Sequence, residues 1–197
     1  MTSGPLVYKV EDRSLLLPYY RRYLVDPILP HLPASLSPNA ITHAGHLVNL
    51  AGTSLLLVMW PRGGWAFIAA ALLLQLYLWC DNADGAHARR TGQCSTYGEF
   101  LDHGLDAANT VYISYLSAMA LGAPPLWWVM IVLLIPAGGA AAYWEQSQTG
   151  VFRLGLLNQV ESLTLLTVVL VISAFAGTEF WEQVVVGGIT LRLAILT

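Results

Sequence analysis

Long apolar runs dominate this chain, broken at intervals by short polar or Pro/Gly-bearing gaps. A helix that crosses a bilayer needs about 20 mostly apolar residues. Six segments come near that length: 41–60, 65–84, 100–121, 125–144, 156–176 and 183–197. The gaps include PRGG at 61–64 and GAPP at 122–125, residue types that end helices and form turns. The last segment is short and carries Arg192. The pattern predicts an all-α integral membrane protein, a six-transmembrane-helix bundle, with no internal repeat and no low-complexity linker.

Residues 8–36 precede the first run and read differently. SLLLPYYRRYLVDPILPHLP mixes Leu, Tyr and Arg with four prolines between Pro18 and Pro33. Amphipathic segments of this kind lie in the membrane surface, so an N-terminal interfacial helix is expected. An ordered arm without lipid contact is the alternative, and the aromatics weigh against it. The expected division is a membrane-surface segment over 1–36 and a transmembrane core over 37–197.

Composition supports the class. Of 197 residues 56% are hydrophobic and 11% charged, against about 25% charged in a soluble domain; the mean hydropathy is +0.58. A net charge of −3 offers no broad basic surface for nucleic acid. Cys80 and Cys94 lack metal-type spacing and read as reduced and incidental. The opening MTSGPLVYKVEDRSLLLPYYRRY is too polar for the apolar core of a signal peptide.

Basic residues then set the orientation. With six spans and a cytoplasmic N-terminus, Lys9, Arg13, Arg21, Arg22, Arg89, Arg90 and Arg153 lie inside, Arg192 ends near that side, and Arg62 faces out. This is the asymmetry the positive-inside rule demands. Trp60, Trp65, Trp127, Trp128 and Trp181 then mark the outer interface, and Trp79 and Trp144 the inner one.

Charge gathers in one place. DNADGAHARRTGQCSTYGEFLDHGLD, residues 81–106, holds five of the chain's twelve acidic residues between two predicted spans. Asp81 and Asp84 share a helix face at i, i+3, and Gly85 and Ala88 continue it. That face offers two carboxylates and then almost no side-chain bulk. Gly98, Asp102 and Asp106 repeat the logic at i, i+4, i+8 on the next span. A single aspartate would read as a solvated helix end. Four, paired at helical spacing and level with a membrane, are functional candidates, because intramembrane acids are expensive. They would repel one another in a low dielectric. Two hard divalent cations, Mg²⁺ or Mn²⁺, would remove that conflict and complete their shells with substrate phosphates. Arg89 and Arg90 are placed to hold phosphate oxygens.

The stretch fits D-x2-D-G-x2-A-R-x8-G-x3-D-x3-D at Asp81, Asp84, Gly85, Ala88, Arg89, Gly98, Asp102 and Asp106. In this it resembles the CDP-alcohol phosphotransferases. The upstream SPNAIT, containing Asn39, with Gly45 resembles the segment that opens that family's first core helix. The resemblance covers about residues 35–197. It implies a six-helix core, a homodimer, and two metal ions on Asp81, Asp84, Asp102 and Asp106. It implies transfer of the phosphoalcohol of a CDP-alcohol to an acceptor hydroxyl, with release of CMP. Asn39, Gly85, Ala88, Arg89 and Gly98 would bind the nucleotide substrate.

GEFLDHGLDA, with Gly98, Glu99, Asp102, His103, Gly104 and Asp106, is most similar to the choline/ethanolamine phosphotransferase branch. VYKVEDRSLL near the start and YWEQSQTGVFRLG, with Glu161 beyond it, agree. Two departures stand out: Ala86 where that branch usually has Lys, and the absence here of about four further spans found in its eukaryotic members. A six-span chain fits a bacterial inner-membrane enzyme or a trimmed core, and an endoplasmic-reticulum-type membrane if eukaryotic, with the active site cytoplasmic.

His103 lies four residues after Glu99 and three before Asp106, so all three neighbour one another on a helix. A carboxylate beside an imidazole orients it. The trio could take the proton of the acceptor hydroxyl; Asp106 acting alone as base is an equal alternative. His87 is expected to line the nucleotide region, and His43 and His46 to make ordinary polar contacts. Glu161, several residues into the fifth predicted span, could be a structural pairing with a neighbouring helix; in the resembling branch a Glu at this place faces the active-site cavity, which implies a headgroup-binding or base-supporting role and is the preferred reading.

Three functions compete. The first is transfer of phosphocholine or phosphoethanolamine to diacylglycerol. The second reverses the lipid's place, with CDP-diacylglycerol as donor and inositol, serine or glycerol phosphate as acceptor. A phosphorylated alcohol would need a basic pocket, and Arg153 is the residue that could supply it. The third is a divalent-cation transporter, for which the glycines and the Ala88–Arg89 pair have no purpose.

Overall fold

The computed structural model describes residues 9–60, 63–186 and 189–196. Arg62, expected to face outward, lies outside these residues. Five long helices make the body: α2 (Pro38–Met59), α3 (Gly64–Thr91), α4 (Thr96–Ala120), α5 (Pro125–Thr149) and α6 (Gln159–Ala176). Before them come strand β1 (Lys9–Asp12), the single turn α1 (Leu17–Tyr20), a π-helical turn over Arg21–Val25 and a 3-10 turn over Leu29–His31. Between α5 and α6 runs β2 (Val151–Leu154), and after α6 come a 3-10 helix over Thr178–Glu182, β3 (Val184–Val186), β4 (Ile189–Thr190) and α7 (Leu191–Leu196).

Local chemistry sets the helix ends. Ser37 caps α2 through its side chain, which accepts from the Ala40 amide, and Pro38 occupies the first turn, where its missing N–H costs nothing. Gly92 ends α3 at φ +70°, a backbone state that glycine enters without steric cost. Ser95 then caps α4 by accepting from the Gly98 amide at 3.0 Å. The turn between these two helices is therefore Gly92–Ser95 alone. Both helices run further than the apolar pattern indicates, so the whole charged stretch is helical apart from that turn.

Helices α2, α3, α5 and α6 are long and apolar enough to cross a membrane. Helix α4 has the length, but Asp106, Asn109, Thr110, Ser114 and Ser117 punctuate it. Asn109 is paired inside the bundle, where it accepts from Asn49 of α2 at 3.0 Å. Helices α2 and α3 pack along their length, α6 lies against α3, and α4 lies against α2 and α5. The core is Leu56, Phe67, Leu74, Leu78, Leu116, Met119 and Leu170. Helices α3 and α4, though consecutive, approach each other at few positions. The opening between them is floored by α2.

Three expectations are corrected. Segment 183–197 forms strands and a six-residue helix among its described residues rather than a sixth long helix. Arg192 lies at the end of the bundle away from the charged turn, where it donates to the Leu121 carbonyl and pairs with Glu182. Trp181 is a core residue, 4% exposed and donating to Ser173 Oγ, instead of an interface anchor.

The N-terminal segment is strapped to the bundle. Trp79 Nε1 donates to the Leu24 carbonyl at 2.9 Å and Arg90 to the Leu32 carbonyl at 2.7 Å. Gln93 donates to the Ala34 carbonyl at 2.8 Å. Strand β1 pairs in parallel with β2, Val10 opposite Phe152 and Glu11 opposite Arg153. Leu15, Tyr19, Tyr23 and Ile28 remain exposed.

Candidate active site

Helix geometry delivers Asp81 from α3 and Asp102 and Asp106 from α4 to one point, where a carboxylate oxygen of each lies within 4.8 Å of the others. Three anions this close in a poorly hydrated setting need a compensating charge. All-oxygen donors at such spacing suit a hard divalent cation. Asp84 stands outside that group. Thr42 donates to its Oδ2 at 2.6 Å, and the Gly85 amide donates to its Oδ1. It is buried, and it lines a cleft of about 570 Å³, a size that takes a nucleotide-scale ligand.

Asn39 and Thr42 of α2, Asp84, Gly85, Ala88 and Arg89 of α3, and Gly98, Glu99, Asp102 and His103 of α4 line this cleft. Of the expected substrate-binding residues, Asn39, Gly85, Ala88, Arg89 and Gly98 are thus brought together. The glycines carry the geometry. A Cβ on Gly98 would come within 3.1 Å of Asn39 Oδ1, and one on Gly85 within 3.3 Å of the Arg89 guanidinium. A methyl at either place would press on a polar group at the cleft wall.

Two donors without a signal in the charged stretch hold the acids. One is Thr42. The other is Tyr77, 3% exposed, whose hydroxyl donates to Asp106 Oδ1 at 3.2 Å and accepts from Gln159 Nε2 at 3.3 Å. Thr42 belongs to the SPNAIT segment, so a signal for it existed. Nothing in the pattern of α3 separates Tyr77 from its apolar neighbours.

Other expected residues are placed elsewhere. His87 is fully buried with Nε2 2.9 Å from the Leu36 carbonyl. A carbonyl only accepts, so Nε2 carries the proton and Nδ1 accepts from Arg90 at 3.1 Å. His87 therefore fastens the N-terminal strap and does not line the cleft, and Arg90 serves the strap instead of a phosphate. Glu161 is buried at the start of α6. Its Oε1 accepts from Ser14 Oγ at 2.6 Å and from the Leu16 amide at 2.8 Å, and its Oε2 from the Asn158 amide at 3.2 Å. It forms a capping box with Asn158 and contributes nothing to the cleft lining. Arg153 is exposed and pairs with Glu145 at 2.6 Å and Glu11 at 3.6 Å. His103 lines the cleft with Glu99 and rests against the rings of Tyr143 and Phe152.

The geometry is that of an acid cluster beside a nucleotide-sized cleft with one arginine and one histidine on its wall. A family model described as CDP-alcohol phosphatidyltransferase matches residues 35–196. The chain is 35% identical to cholinephosphotransferase 1 of Gallus gallus over 182 residues, 89% of this chain and 54% of the relative. It is 33% identical to cholinephosphotransferase 1 of Danio rerio over 196 residues, 94% of this chain and 50% of the relative. Similarity to choline/ethanolaminephosphotransferase 1 of Arabidopsis thaliana is 32% over 188 residues, 89% and 46%. The chain spans about half the length of the curated relatives it matches. Together with the four apolar helices, these similarities make it an integral membrane protein.

Proposed function

We propose that the chain, which belongs to the CDP-alcohol phosphatidyltransferase family, transfers phosphocholine or phosphoethanolamine from the CDP-alcohol to the hydroxyl of a diacylglycerol and releases CMP. The observation that carries this reading is the cleft itself. It joins small-residue faces of two helices, one arginine and Asp84, and it borders the three-carboxylate cluster through Asp102 at the charged end of an apolar bundle. Soluble alcohol phosphates as acceptors find less support, since Arg153 is engaged by Glu145 and Glu11.

The residues suit the roles the reaction needs. Gly85, Ala88 and Gly98 leave room for the nucleotide to lie close to the backbone, with Asn39 beside Gly98 to fix its register. Arg89 offers a fork of donors to the diphosphate. Asp81, Asp102 and Asp106, with Asp84 beside them, would hold Mg²⁺ or Mn²⁺. Two such ions, when bound, supply charge neutralisation to the diphosphate as the phosphoryl group moves. His103 takes the proton of the acceptor hydroxyl. Glu99, one turn away, orients the imidazole, and Asp106 is the alternative base. The acceptor oxygen bonds to the β-phosphorus as the bond from that phosphorus to the bridging oxygen breaks, and CMP leaves with the electron pair. Fixed geometry and aimed charge supply most of the acceleration.

We further propose that the N-terminus and the cleft face the cytoplasm, that residues 1–36 lie on the membrane surface ahead of a core over 37–197, and that the chain works as a homodimer. The exposed Leu15, Tyr19, Tyr23 and Ile28 support the surface assignment. Helices α2 to α6 are the proposed spans of that core.

The test is purified protein in vesicles with radiolabelled CDP-choline, CDP-ethanolamine or CDP-diacylglycerol. Diacylglycerol-dependent formation of phosphatidylcholine or phosphatidylethanolamine is expected. Lipid product from CDP-diacylglycerol and a soluble alcohol, with none from the CDP-aminoalcohols, overturns the assignment.

A further inference from the structure

We infer that Phe152 and Tyr143 are positioning residues for His103, and that the N-terminal strand β1 holds them in place. The inference rests on the reading of His103 as the base.

Two further rings pack against His103, which lines the cleft. The Tyr143 ring centroid lies 5.1 Å from that of His103, with the planes 41° apart. Phe152 lies 6.5 Å from His103 and is tilted by 37°. Tyr143 and Phe152 stack on each other at 5.6 Å, within 4° of parallel. The second torsion of a histidine side chain is broad and roughly two-fold. The setting of the ring therefore depends on packing as well as on Glu99, one turn away on its own helix. Packing against two rings that stack on each other narrows the range of that torsion.

What locks the rings comes from far along the chain. Helix α5, which bears Tyr143, is little buried, with Ile131 its buried residue among those described. Phe152 sits in β2, directly opposite Val10 of β1. The Arg13 amide donates to the Leu154 carbonyl at 3.3 Å, and Arg153 bridges Glu145 of α5 to Glu11 of β1. Strand β1 is anchored in turn. Asn158 donates to Asp12 at 2.9 Å, and Ser14 and Leu16 donate to Glu161. A continuous set of contacts thus runs from Glu161 through Ser14, β1 and β2 to Phe152 and His103. It gives Glu161 a part in the site without contact to substrate.

Single and double variants test this with CDP-choline and diacylglycerol as probes. Phe152→Ala is expected to lower kcat by about 10–100-fold, the scale of small misplacements of reacting groups. KM for CDP-choline should stay within about twofold, and Phe152→Tyr should restore the rate. In a His103→Ala background, Phe152→Ala should cost nothing more, because two residues acting through one step are not additive. If Phe152→Ala cannot be purified folded, Phe152→Leu, which keeps bulk without a ring, takes its place. An unchanged kcat, or an equal loss with and without His103, overturns the inference and leaves His103 as base. Wild-type kcat in His103→Ala overturns the base reading itself, and the positioning role with it.

Discussion

Thr42 on α2 and Asp84 on α3 are joined by a hydrogen bond of 2.6 Å. The bond ties the floor of the cleft to the aspartate that lines it. Hydrogen bonds to charged groups contribute about 1.5–3 kcal/mol, or roughly 10–150-fold in an equilibrium constant. Thr42→Val keeps the shape and removes the donor. It should weaken Mn²⁺-dependent CMP binding by about tenfold or more, read as a smaller CMP-induced rise in Tm. Thr42→Ser should behave as wild type. Equal CMP responses in all three proteins would show that this hydroxyl leaves the site unaffected.

The acid cluster makes a prediction whose sign depends on metal. Asp81, Asp102 and Asp106 face one another within 4.8 Å. Without a cation, removing one charge relieves repulsion; with a cation, it removes a ligand. Asp81→Asn should therefore raise Tm in excess EDTA and lower it relative to wild type in Mn²⁺. Each kcal/mol corresponds to about 2–4 °C in a chain of this size. Turnover should vanish in EDTA and return with Mg²⁺ or Mn²⁺. The same sign of shift in both conditions would argue against a metal on these residues.

Two glycines separate close packing from open space. A Cβ on Gly45 would fall 2.8 Å from Cys80 Cβ, whereas one on Gly104 would meet nothing within 4 Å. Gly45→Ala should cost about 1–3 kcal/mol by overpacking the α2–α3 contact. Gly104→Ala should be neutral or slightly stabilising, since alanine is the better helix former. Thermal unfolding in detergent with Mn²⁺ present compares them directly.

The candidate site is legible in the sequence where its information is local. Asp81 with Asp84, and Asp102 with Asp106, recur at helical spacing, and the polar face they make is visible without coordinates. Thr42 could be found as part of SPNAIT. Residues whose roles depend on distant partners were misread. His87 and Arg90 look like site residues until Leu36 and Leu32 are seen to offer carbonyls to them. Glu161 is a buried acid in an apolar run, and its use as a cap becomes clear with Ser14 and Asn158 in place. The β1–β2 pairing joins residues about 140 positions apart in four-residue strands, too short to show as a pattern. The last segment was misread for another reason: hydropathy alone does not distinguish a short helix with strands from a span.

Adjacent arginines give the sharpest separation of cleft from scaffold. Arg89 lines the cleft and its guanidinium lies over Gly85. Arg90, one position on, points about 100° away around the helix and gives its donors to Leu32 and His87. Arg89→Ala should raise KM for CDP-choline and lower kcat together, by about 10²–10³-fold in kcat/KM, the scale of losing one donor aimed at developing charge. Arg89→Lys should recover part of this, since an ammonium keeps the charge but loses the two-pronged geometry. Arg90→Ala should leave KM for CDP-choline within about twofold. It should lower Tm instead, because the Leu32 carbonyl loses its partner and the strap loosens. Steady-state kinetics and thermal unfolding on the three variants decide the matter. A large KM effect from Arg90→Ala, with Arg89→Ala near wild type, would exchange their roles and move the phosphate contact out of the cleft.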